Sequence, residues 1–225
     1  DILTGGFTMH DADTLFWDLD GTLTDPYEGI TRSIVYALRF LHIEVPDRAS
    51  LCPFIGPPLK DSFMHFYGLS ATDADLAVSY YQEYFSDKGW CENAVYPGIP
   101  ALLRALQEAG KRHVLSTSKP EVFAERILLH FGLRPYFTAV AGGDLEGTRV
   151  KKEDVLWHAL EQTGAEPARS LMIGDRKYDV EGARRVGIDC IGVTYGYGSK
   201  QELLESGAVA LADSTDTLRC LLLPR

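Results

Sequence analysis

The chain has 225 residues, enough for one large domain or for a core domain carrying a smaller insert. Hydrophobic residues make up 45% and charged residues 24%, the balance of a soluble globular protein, and no apolar run approaches the roughly 20 residues that span a bilayer. A formal charge of −10 argues against a nucleic-acid polymer or an anionic membrane as partner, and it requires any phosphate site to be locally positive.

Cys52, Cys91, Cys190 and Cys220 are scattered without a Cys-x-x-Cys pair, so they suggest neither a zinc site nor a disulfide framework. Buried free thiols in a reducing cytoplasm are the expected state. The opening residues lack the basic start and long apolar stretch of a signal peptide; Met9 reads as a native start, with residues 1–8 either an upstream extension or a non-native leader left by cloning.

Leu15-Phe16-Trp17 predicts a buried strand feeding Asp18, Leu19, Asp20 and Gly21. A strand's period of two turns both acids to one side before Gly21 lets the chain bend. Such a pair can hold a hard cation and still leave an oxygen free to attack. An ordinary Asp-Gly turn explains the pair alone equally well. Helical spacing then takes over at Ile30, Ile34, Val35, Leu38 and Leu41, and Asp47 to Leu51 with Pro53 reads as a short connection. Pro57 and Pro58 can open a second helix, and Ser70 with Asp73 starts a third in which Leu76, Tyr80, Tyr81 and Tyr84 mark one side. Residues from about Pro26 to Tyr96 therefore form a helical insert, far longer than a strand-to-strand crossover requires.

From Gly98 the pattern alternates. Ile99, Leu102, Leu103 and Leu106 make a helix stopped by Gly110, followed by the strand His113-Val114-Leu115-Ser116. Later helices stop at Gly132, Gly164 and Gly187, each followed by a strand: Phe137–Ala141, Ser170–Ile173 and Cys190–Val193. This order implies right-handed crossovers and a parallel sheet with helices on both faces, where reacting groups gather at the carboxyl ends of the strands. Three further strand ends carry suitable groups. Thr117, before Ser118-Lys119-Pro120, can donate to phosphate near a helix start, although a Ser/Thr cluster before proline is also a common cap. Lys151-Lys152 opens a helix against its dipole, a local cost that suggests a use. Ile173-Gly174-Asp175 ends a strand in an acid, with Asp179 four residues on; Asp175 also suits a plain helix N-cap.

Extended by Thr22, Leu23, Thr24 and Asp25, the first acid pair resembles the signature of the haloacid dehalogenase superfamily, most of whose members are Mg²⁺-dependent phosphatases. The resemblance implies a Rossmann-like α/β core, a parallel sheet with helices on both faces, in residues 1–25 and 97–225. It also implies an inserted all-helical cap domain in residues 26–96, of the type found in the phosphoglycolate phosphatase and nucleotidase branch. Carried over onto this chain, Asp18 is nucleophile and metal ligand, and Asp20 is the acid and base, with its backbone carbonyl on the metal. Thr117, with Ser118, binds phosphate. Lys152 neutralises phosphate and nucleophile, with Lys151 the second choice because the usual Lys-Pro form is missing. Asp175 ligates Mg²⁺, and Asp179 is a ligand through water or a partner of Lys152. Lys60, in the loop Pro53–Lys60, resembles a cap residue that chooses substrate, and Gly192–Gly198 resembles the branch's late glycine-rich turn. The implied activity is Mg²⁺-dependent hydrolysis of a small phosphorylated metabolite, phosphoglycolate- or nucleotide-like. A phosphonatase, a phosphomutase or a catalytically idle binding protein of this fold are the alternatives, and neither substrate nor oligomeric state is set by the sequence.

Overall fold

The structure, a computed structural model, describes residues 8–223, so most of the proposed upstream extension lies outside the described residues. In chain order, strand β1 (Thr14–Trp17) and the short β2 (Thr24–Asp25) precede helices α1 (Tyr27–Phe40), α2 (Leu59–Tyr67) and α3 (Ala71–Tyr84) and the short β3 (Ala94–Val95). Then follow α4 (Ile99–Glu108), β4 (Arg112–Pro120), α5 (Glu121–His130), β5 (Phe137–Gly143), α6 (Lys152–Thr163) and β6 (Ser170–Gly174). The chain closes with α7 (Lys177–Arg185), β7 (Asp189–Val193), α8 (Lys200–Ser206), β8 (Ala210–Ala212) and α9 (Thr215–Leu222).

The chain divides into two compact units, one running to Thr24 and resuming at Val95, the other spanning Asp25–Ala94. The first holds a six-stranded sheet in the order β5-β4-β1-β6-β7-β8, every neighbouring pair parallel. β1 sits between β4 and β6, with Trp17 opposite both Leu115 and Ile173. The order reverses at β1, and in sheets of this type that point, at the carboxyl ends of the strands, is where ligands bind.

Side chains alternate across the sheet as the pleat requires. Phe16, Val114, Met172 and Cys190 meet Val155, Leu156 and Ala159 of α6 and Val180 and Ala183 of α7 in one buried cluster. On α4 the predicted stripe Ile99, Leu102, Leu103 and Leu106 is buried throughout. Here β4 is tied to its helix by a polar contact inside the core. Trp17 Nε1 donates to His113 Nδ1 at 3.0 Å, which leaves the ring proton on Nε2, 3.1 Å from the Leu103 carbonyl. Burial holds that imidazole neutral, with its pKa lowered to about 4.

Three local expectations are corrected. β4 does not stop at Ser116 but runs on to Pro120, so Thr117 and Ser118 lie on an extended strand end and α5 starts only at Glu121. Asp175 is not the N-cap of α7; Arg176 is, and its backbone N–H donates to Asp179 Oδ2 at 3.0 Å. On α3 the buried side is Ala74, Ala77 and Tyr81, while Leu76 is exposed and Tyr80 stacks on Phe40 with ring centroids 4.3 Å apart. Small residues win that face because α3 lies close to α1, whose own Ile30, Ile34 and Leu38 are buried as expected. Beyond the predicted elements the structure adds β8 with α8 and α9 around it.

The second unit contains α1, α2 and α3, with a 3₁₀ helix, Arg48–Phe54, on the long connection between α1 and α2. Ser70 caps α3 as expected, accepting from the Asp73 N–H at 3.1 Å. Among the described residues no helix is long and apolar enough to cross a membrane.

Candidate active site

After Trp17 the chain leaves the sheet and closes a tight loop. The N–H groups of Leu23 and Thr24 return to the Leu19 carbonyl at 2.9 and 3.0 Å, and the Gly21 N–H reaches the Thr24 carbonyl at 2.7 Å. Gly21 has φ +84°, and a Cβ there would lie 2.2 Å from Asp175 Oδ2, so neither the backbone turn nor the space admits a side chain. The loop thus brings the end of β1 against the end of β6.

Asp18, at the end of β1, is buried, and so are Asp175 after β6 and Asp179 on the first turn of α7. One carboxylate oxygen from each lies within 4.8 Å of the others. Into this cluster reaches Lys152, the first residue of α6, itself only 5% exposed. Its ammonium lies 2.7 Å from Asp18 Oδ1, 2.7 Å from Asp179 Oδ1 and 3.0 Å from the Ser116 carbonyl, which uses all three of its protons. Gly182 lets α7 pass the lysine stem, since a Cβ there would come within 2.7 Å of Lys152 Cβ. Lys151 is the exposed cap of the same helix. Of the two lysines, Lys152 is the one that meets Asp18.

The electrostatics are unbalanced. Three buried carboxylates face one ammonium, so the fully ionised group carries two surplus negative charges. Burial would lower the Lys152 pKa, but Asp179 and Asp18 outweigh it and hold the lysine above its usual range. For Asp175, burial and then the charges of Asp179 and Asp18 raise the pKa well above the carboxylate range. Asp179 is raised to about 6, burial exceeding the opposing pull of Lys152. A divalent cation among these oxygens would cancel the surplus, and an all-oxygen donor set suits a hard ion such as Mg²⁺. Of the four acids expected to hold metal, Asp18, Asp175 and Asp179 bring carboxylates together. The Asp20 carboxylate does not join them.

Instead Asp20 Oδ2 pairs with Lys119, at 2.9 Å, on the extended end of β4. Burial raises the Asp20 pKa against the opposing charge of Lys119. Its other oxygen, Oδ1, is buried with no donor from the described residues. A carboxyl with one oxygen held and one unpartnered can give and take a proton. Lys119 was not singled out in the sequence, because nothing local shows that β4 continues far enough to meet Asp20. Thr117 is buried beside this pair, its hydroxyl accepting from the Lys119 N–H at 3.2 Å. Ser118 is half-buried against β5, where its carbonyl fills the space a Gly143 side chain would need. Lys60 lies on α2 in the second unit, its ammonium 2.7 Å from Asp75 in a half-exposed ion pair.

The point where the parallel sheet reverses thus gathers a strand-end acid pair, a helix-start lysine and a second acid cluster. A family model for haloacid dehalogenase-like hydrolases matches residues 15–193, and the chain belongs to that family. Among its relatives, a 5′-nucleotidase from Pseudomonas aeruginosa is 50% identical over 84% of this chain and 86% of its own. A protein named tyrosine-protein kinase PtkA, from Mycobacterium tuberculosis, is 41% identical over 82% of this chain but 62% of its own length. A crystal structure described as a predicted phosphatase, from Clostridium acetobutylicum, superposes with a TM-score of 0.91 at 47% identity, covering 92% of this chain and 96% of that one. The chain is a phosphatase of the haloacid dehalogenase-like family.

Proposed function

We propose that the chain hydrolyses a small phosphomonoester in a Mg²⁺-dependent reaction, with nucleoside 5′-monophosphates as the favoured substrates. The observation that carries this is Lys152 bridging Asp18 and Asp179 at 2.7 Å, with Asp175 in the same cluster. Lys152 engages Asp18 Oδ1, so Oδ2 is the attacking oxygen. As the Asp18–phosphorus bond forms and the ester bond breaks, Asp20 protonates the departing oxygen. Asp20 then takes a proton from the water that attacks the aspartyl-phosphate, which releases phosphate and restores Asp18. Lys119 keeps the Asp20 carboxyl in place for both transfers. Thr117 and Lys152 hold the transferring group, and Asp18, Asp175 and Asp179, with the Asp20 carbonyl, would hold the cation. Bound there, Mg²⁺ would neutralise phosphate oxygens so that they can approach the acids.

Residues 26–96 we assign as the cap that selects the leaving group, with Lys60 as its candidate contact. The preference for nucleotides is supported by the 50% identity to a 5′-nucleotidase. We place the reaction in the cytoplasm, a reading supported by four cysteines that form no disulfide, though of the four Cys190 alone is buried as expected, Cys52 and Cys91 being half-buried and Cys220 exposed. The test is phosphate release from a panel of nucleoside 5′-monophosphates, phosphoglycolate, sugar phosphates and pyrophosphate, in Mg²⁺ and in chelator. The expected result is release that needs Mg²⁺ and is fastest with a nucleotide. Full activity in chelator would overturn the cation assignment, a preference for another ester would overturn the nucleotide, and transfer to a second sugar instead of to water would make the protein a mutase.

A further inference from the structure

The turn after β7, Thr194-Tyr195-Gly196-Tyr197-Gly198, is used by none of the chemical steps above, yet it presses on Asp175 from three directions. The Tyr197 backbone N–H donates to Asp175 Oδ2 at 2.7 Å. A Cβ on Gly196 would fall 2.3 Å from the Gly21 carbonyl oxygen and 2.5 Å from both Cβ and Oδ2 of Asp175. On Gly198 it would lie 1.9 Å from the Asp175 carbonyl oxygen. The turn is also tied to the opposite side of the same carboxylate. The Tyr195 hydroxyl donates to the Thr22 carbonyl at 3.0 Å, and the Thr22 hydroxyl donates in turn to Asp175 Oδ1 at 3.4 Å. The Tyr195 ring is steadied edge-on by Tyr96, with centroids 5.0 Å apart.

Both oxygens of Asp175 therefore receive a donor, one from the turn and one from the loop that the turn tethers. Left to rotate, a buried carboxylate within 4.8 Å of two others would turn away from Asp18 and Asp179. We propose that Tyr195 is a positioning residue for the cation site: its hydroxyl pins the Gly21–Thr22 loop against Asp175 and fixes that carboxylate in the orientation a divalent cation needs. The two glycines are the means by which the turn comes close enough. Groups that orient a metal ligand without touching the metal set affinity more than fold, and removing one typically weakens metal binding by about 10–100-fold.

The inference rests on the cation-dependent reading, and the experiment separates the two. Mg²⁺ binding is measured by titration calorimetry on the full chain without substrate, for wild type, Tyr195→Phe and Gly196→Ala. Tyr195→Phe keeps the ring and removes only the hydroxyl, so its Kd should rise about tenfold, with Gly196→Ala at least as impaired. The Mg²⁺ concentration for half-maximal phosphate release should rise by the same factor, a larger change than that in kcat. Its unfolding midpoint in chelator should fall by no more than about 2–4 °C, as expected for one hydrogen bond in a chain of this size. If wild type binds no Mg²⁺, the cation site itself is wrong. If wild type binds and Tyr195→Phe binds equally well, or loses stability in chelator without a change in Kd, Tyr195 does not position Asp175.

Discussion

Replacing Lys152 by methionine keeps the length of the stem and removes the ammonium that lies among three buried acids. The wild-type ammonium lies 2.7 Å from each of two carboxylates that are 93% or more buried at the side chain. Breaking a buried pair by deleting one partner costs about 3–5 kcal/mol. The acids can escape part of this by taking a proton, and the cost of that escape falls with pH. An unfolded aspartate has a pKa near 3.9, so holding one protonated costs about 5 kcal/mol near pH 7.5 but only about 2 near pH 5.5, at about 1.36 kcal/mol per unit. The sign follows from Asp179, whose folded pKa is already raised to about 6 and rises further without the lysine. An acid raised in the fold weakens the folded state as pH climbs above its unfolded pKa, so Lys152→Met should be hurt most at the higher pH. Urea unfolding in chelator should show a loss of about 3–5 kcal/mol near pH 7.5 and less than about 2 near pH 5.5. Mg²⁺ should recover more stability in the variant than in wild type, since its surplus negative charge is larger. A loss under about 1 kcal/mol, or one of equal size at both pH values, would refute the charge balance assigned to this cluster.

Asp18→Asn should lower phosphate release by at least about 10⁴-fold, because an amide cannot attack phosphorus, while circular dichroism shows an unchanged fold. His113 tests the polar contact inside the core. Its pKa falls from 6.5 in the unfolded chain to about 4 in the fold, so its share of stability is complete above pH 6.5 and is lost as pH drops toward 4. The full difference is about 3 kcal/mol, and His113→Asn should flatten the acid limb of stability against pH by about that amount; parallel limbs would show that the ring titrates alike in the folded and unfolded chain.

What could be read in advance was local. The acids at the ends of β1 and β6 announce themselves by an apolar run that stops in Asp, and Lys152 by a cation set against a helix dipole. The glycine stops of α6 and α7 fall where expected, Gly164 and Gly187 both taking left-handed backbone. Pairings between distant segments could not be read. Lys119 meets Asp20 only because β4 keeps its extended backbone past Ser116 alongside β5, through a register shift between Ser116 and Pro120. The role of Tyr195 depends on three glycines sharing one small space, which spacing along the chain does not show. The C-terminal elements are a different case. Ser199 caps α8 and accepts from the Glu202 N–H at 3.0 Å, a Ser-x-x-Glu helix start written in the local sequence. β8 is only three residues at the sheet edge, too short for periodicity to mark.

The short strands β2 and β3 pair with one another, so the helical unit leaves and rejoins the chain at adjacent points. To the sheet that unit is a loop already closed at its neck. Once closed, a loop's entropic cost grows only slowly with its length. Descendants of this chain could lengthen, trim or exchange the helices between Asp25 and Ala94 without moving the strand ends that carry Asp18 and Asp175. Under the cap reading proposed above, reaction chemistry and substrate choice are inherited separately, one held nearly constant by the sheet and the other drifting with the helices.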